Sequence, residues 1–90
     1  MGKETRLFKS EESKNRTDVG AFLRQLGEKV DTGEVILRQG SDELALLLPP
    51  NLILEIQVED EEKSRGIQHS LEIEIKWFDN GGSDGPVELG

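Results

Sequence analysis

Ninety residues fit one domain, and a net charge of −8, from 11 basic and 19 acidic residues, repels phosphate backbones and anionic lipid. Nucleic acid and membrane surfaces are therefore excluded as expected partners, while a basic protein or a cation is favoured. Cysteine is absent, which removes disulfides, thiolate metal sites and thiol catalysis together.

The N-terminus has no apolar run of signal-peptide length, and Arg6 stands where a myristoylation start needs Ser or Thr. No segment reaches the length of a membrane span. The expected location is the cytoplasm, and Asn15-Arg16-Thr17 is then an accidental glycosylation sequon. Thr5 to Glu11, which mixes Leu7 and Phe8 with charges, reads as a short edge strand or an ordered arm.

A helix follows. Val19, Phe22, Leu23, Leu26 and Val30 form one apolar stripe of 3.6 period, with charged residues on the remaining faces. Asn15 is the expected N-cap, and Gly33 the left-handed stop, so the helix spans about Arg16 to Asp31.

Two hairpins come next. Val35 and Leu37 alternate with more polar positions, Gln39-Gly40-Ser41-Asp42 turns the chain, and Leu44, Leu46 and Leu48 alternate with Glu43, Ala45 and Leu47. Apolar residues lie on both faces of that second strand, which predicts a central strand or one with a covered outer side. Pro49-Pro50 ends it, since proline donates nothing to a ladder.

In the second hairpin Leu52, Leu54, Ile56 and Val58 point one way; after the turn Ile67, His69, Leu71, Ile73, Ile75 and Trp77 share one face. Keeping both rows on one side requires pairs whose residue numbers sum to an odd value. Pairing Val58 with Ile67 meets that condition and leaves Glu59 to Gly66 as the loop. The expected fold is α+β: an antiparallel sheet of four or five strands with one amphipathic helix packed on one face. Burial between them stabilises by about 1.5–3 kcal/mol per large side chain. The domain spans residues 1–78, and residues 79–90, rich in Gly, Asp and Ser, form a flexible acidic tail.

Phe8-Lys9-Ser10-Glu11-Glu12-Ser13, the helix with Ala21-Phe22-Leu23-Arg24, Gly33-Glu34-Val35 leading to Leu37-Arg38-Gln39-Gly40, and the closing Leu71-Glu72-Ile73-Glu74-Ile75-Lys76-Trp77 occur in a characteristic order. Together they resemble the amphi-Trp domain, a family of small prokaryotic proteins. The resemblance covers about Thr5 to Trp77, implies a single α+β domain, and brings no catalytic residue with it.

Four consecutive carboxylates, Glu59-Asp60-Glu61-Glu62, with Asp79 and Asp84 of the tail, are the candidate ligands for a hard cation such as calcium. Lys63 and Arg65 partly neutralise that run, and the spacing is not that of an EF-hand, so the competing reading is a solvated turn. His69 is the lone histidine and lies on the apolar row, where a hydrogen-bonded structural role outweighs a ligand role. Trp77 is either an interface anchor or a cap on the core. Leu47 and Ile53, if exposed, form a patch for a protein partner or a homodimer.

Glu55, Glu72 and Glu74 lie on a polar face with no apolar pocket to raise a carboxyl pKa, and no serine has a histidine base arranged beside it. No small-molecule substrate site is evident. The expected function is therefore a non-catalytic interaction or assembly module. A weak calcium-binding protein using the acidic turn is the alternative.

Overall fold

The computed structural model describes residues 2–79. It contains one helix and four strands, α1 (Arg16–Thr32), β1 (Glu34–Gln39), β2 (Asp42–Leu47), β3 (Ile53–Lys63) and β4 (Gly66–Lys76). The chain divides into two compact units, Met1–Leu48 and Pro49–Gly90. The α+β class holds. The single sheet of four or five strands does not: among the described residues β1 pairs only with β2 and β3 only with β4, giving two separate antiparallel sheets. Pro49-Pro50 stands between them and supplies no amide hydrogen, so β2 ends there without continuing into the next strand.

In the first unit the helix starts and stops where its chemistry dictates. The Asn15 side-chain oxygen accepts the Asp18 amide at 2.7 Å, satisfying one of the donors a helix N-terminus leaves free. At the other end Gly33 has φ 87°, and its amide donates to the Val30 carbonyl at 3.0 Å. A left-handed residue reverses the chain at little steric cost only when it lacks a Cβ. The same Gly33 accepts the Leu48 amide on its carbonyl at 2.8 Å, which ties the helix exit to the end of β2.

The β1–β2 register sets Val35 against Leu46 and Leu37 against Leu44. Arg38 donates from Nε to Glu43 Oε2 at 2.8 Å across the pair. Val35, 6% exposed, is the one buried apolar residue among the described residues; Leu26, Val30, Leu37, Leu44 and Leu46 of the same unit are half-buried. β2 is neither central nor covered, for Leu47 on its outer face is 73% exposed. The N-terminal segment forms no strand; Thr5 to Phe8 flank Leu44 and Leu46 around a shared open hollow, as an arm.

In the second unit β3 and β4 run the full length of a long hairpin, from Ile53↔Lys76 to Lys63↔Gly66. Val58 pairs with Leu71, four residues beyond the expected partner Ile67, and the loop shrinks to Ser64-Arg65. The acidic run is therefore strand, not loop. A short loop costs less closure entropy, and the extra ladder bonds of Glu59 to Lys63 accompany it. Gly66, at φ 130°, provides the positive φ that closes the turn, because no non-glycine residue described here adopts one. A slip of four residues preserves the odd sum, so every side chain keeps the expected face.

Candidate interaction surface on the second hairpin

Strand alternation gives the β3–β4 hairpin two chemically opposite faces. One carries Leu54, Ile56 and Val58 against Ile75, Ile73 and Leu71, in direct cross-strand pairs. These aliphatic side chains are largely in solvent: Val58 is 71% exposed and Leu71 68%, with Leu54, Ile56 and Ile73 also exposed and Ile75 half-buried. A contiguous aliphatic band of this kind is unusual on a free surface, where the largest apolar patch is about 300–600 Å² and often functional.

The opposite face carries Glu55, Glu59, Glu61, Glu72 and Glu74. Glu55 and Glu74 are direct cross-strand partners, an arrangement that like charges disfavour. Lys76 relieves it: its Nζ donates to Glu55 Oε1 at 2.7 Å and lies 3.9 Å from Glu74 Oε1. The hydrogen bond to Glu55, and then the charge of that carboxylate, raise the Lys76 pKa above the ordinary lysine value of 10.5; the nearby Glu74 adds to this and partial desolvation opposes it.

The candidate cation ligands are split by the same alternation. Glu59 and Glu61 lie on the acidic face, opposite Ser70 and Gln68, whereas Asp60 and Glu62 lie on the apolar face, opposite His69 and Ile67. Among the described residues no group of three or more acidic or histidine side chains is placed to hold a metal ion. Asp79 follows the end of β4 and Asp84 lies outside the described residues. A run of four acids converges on an ion only in a loop that turns its side chains inward. An extended strand sends them to alternate sides.

His69 is paired with Asp60, its Nδ1 2.6 Å from Asp60 Oδ1, and both are exposed. This pair caps the apolar band at its turn-proximal end. The register expected from the sequence hid it, for pairing Val58 with Ile67 leaves Asp60 in the loop. At the far end Trp77, just past β4, is half-buried and borders an open hollow with Ile53, Ile75, Lys76 and Phe78. Ile53 is 49% exposed and lies on the acidic face, paired with Lys76. Leu47 is exposed in the first unit. Among the described residues, the apolar surface with the largest number of adjacent exposed residues is thus the inner row of β3–β4, which was expected to face the core.

With an aliphatic row, an acidic row and a tryptophan closing the hairpin in place, the family is evident from the comparison of the whole chain. Residues 1–89 match the model of the Amphi-Trp domain. The chain belongs to that family. The match runs past Trp77, where the residues carrying the resemblance end, to position 89, and so takes in the acidic stretch beyond the described residues. No curated protein and no solved structure matches this Amphi-Trp chain. No helix among its described residues is long and apolar enough to cross a membrane.

Proposed function

We propose that this Amphi-Trp protein is a non-catalytic interaction module that presents the apolar face of β3–β4 to a protein partner. One observation carries the reading: Leu54, Ile56, Val58, Leu71 and Ile73 form a band that is exposed, aliphatic along its length and backed by an acidic face. Leaving that band in water forgoes more than half of the about 1.5–3 kcal/mol that full burial of each such side chain is worth. The carboxylates behind it keep the unbound surface soluble and hold off anionic macromolecules. Trp77, next to the hollow lined by Ile53 and Phe78, sits at the edge of the same hairpin, where a large aromatic side chain anchors a docked protein.

A photo-crosslinking amino acid at position 58, introduced in the cells that make the protein, tests this. The expected result is a discrete adduct of higher mass that disappears when the probe is moved one residue, to position 59 on the acidic face. Equal or absent crosslinking at the two positions would defeat the assignment of this face.

A further inference from the structure

We infer that the partner on this face is a second copy of the same chain, so that two β3–β4 hairpins stack apolar face to apolar face as a homodimer. The inference rests on the interaction-module reading and names its occupant. Three observations lead to it. The first is the shortage of core. Val35 alone is buried among the described residues, and a two-stranded hairpin is marginal in water without something against its apolar side. A cover needed for the fold itself has to be present whenever the chain is present, and another copy meets that condition by mass action.

The second is area. Leu54, Ile56, Val58, Leu71 and Ile73 are each more than half exposed. At about 25 cal/mol per Å², full burial of one such side chain corresponds to about 60–120 Å², so the exposed fractions leave about 200–400 Å² of aliphatic surface on each copy. That supplies much of the apolar part of a standard interface, which buries roughly 800 Å² per partner, about 56–65% of it non-polar.

The third is charge. Two chains of net charge −8 repel one another, and they approach most cheaply through the surface with the fewest carboxylates. On β3–β4 that surface is the aliphatic band. The acidic face places Glu55, Glu59, Glu61, Glu72 and Glu74 together, and pairing along the open β4 edge would bring Glu72 and Glu74 of both copies side by side. Stacking about 10 Å apart leaves those carboxylates on the two outer surfaces in water. Asp60, hydrogen-bonded to His69, and Glu62 fall at the turn-proximal end of the band and are exposed.

Because the chain has no cysteine, a single introduced thiol reports on one face at a time. The test combines sedimentation equilibrium of the full chain with a short bis-maleimide crosslinker on Val58→Cys and Glu59→Cys. The expected result is the mass of two chains, with covalent dimer formed through position 58 and at least tenfold less through position 59. Leu71→Glu should return the mass to that of one chain. The wild-type mass and the two cysteine variants decide the matter even if that glutamate prevents folding. A single-chain mass at every concentration up to about 100 μM, or a dimer crosslinked through position 59 instead of 58, overturns the inference. A single-chain mass together with an in-cell adduct from position 58 to a different protein overturns self-association and leaves the interaction module standing. A single-chain mass with no adduct removes both.

Discussion

His69 and Asp60 meet across the β3–β4 ladder, Nδ1 to Oδ1 at 2.6 Å, on the side of the hairpin that carries the Leu, Ile and Val row. The contact fixes the register visibly, because a slip of the hairpin would separate them. Both side chains are exposed, so the pair specifies more than it stabilises. A double-mutant cycle with Asp60→Asn and His69→Gln should give a coupling of about 0.2–1 kcal/mol by urea denaturation near neutral pH. A coupling of several kcal/mol would mean that the pair is buried in solution.

The helix exit depends on one glycine. Gly33→Ala places a Cβ on a residue at φ 87° and should destabilise by about 1–2 kcal/mol, read as a lower urea midpoint. The strain comes from the backbone rather than from crowding, since the nearest atom to the added Cβ is the Leu48 carbonyl oxygen at 3.6 Å. Gly33→Asn, a residue more tolerant of the left-handed region, should recover part of the loss. Equal losses for both variants would show that φ is not the cause.

Lys76 makes stability depend on pH at the alkaline end. Its pKa is raised in the folded chain, chiefly by the hydrogen bond from its ammonium to Glu55. The stabilisation is therefore complete below the ordinary value of 10.5 and is lost as pH climbs through the higher folded value. Lys76→Met should flatten the fall of the urea midpoint as pH rises above 10.5, and Glu55→Gln should do much the same. An unchanged fall in both variants would place its origin elsewhere.

Val35 and Val58 offer a contrast between the two units. Val35→Ala should cost about 1.6 kcal/mol for two lost methylene equivalents, independent of protein concentration. Val58→Ala, at a site 71% exposed in the single chain, should cost a comparable amount only under conditions where the two-chain species forms, and little at high dilution. Concentration-independent effects at both sites would contradict dimer formation through this face.

Calcium should produce only diffuse effects. With Glu59 and Glu61 on one face and Asp60 and Glu62 on the other, an amide NMR titration is expected to give small linear shifts across all acidic residues, reduced by added sodium chloride. Saturable shifts confined to these four residues would require the strand to open into a loop, and Asp60→Asn with Glu61→Gln would then abolish them.

Local chemistry made much of this protein legible from its residues. Asn15 and Gly33 bound the helix to within one residue, since caps act on neighbouring amides and carbonyls, and the Gly40-Ser41 turn set the first hairpin. The faces of β3 and β4 followed from period-two alternation, which no even slip of register disturbs. The sequence order also carried the resemblance to the Amphi-Trp family.

Three features emerged only in the folded chain. The β3–β4 register depends on whether Glu59 to Lys63 gains more from ladder bonds than from hydration, a small difference between large terms that polarity alone does not settle. Strand pairing left the chain with two two-stranded sheets, because donors and acceptors lost at Pro49-Pro50 are a matter of which edges meet. The exposure of the inner row was hidden for the same reason. Hydrophobic residues in alternation declare that a face wants cover, but not which surface supplies it, since burial is non-directional and takes whatever apolar area is near.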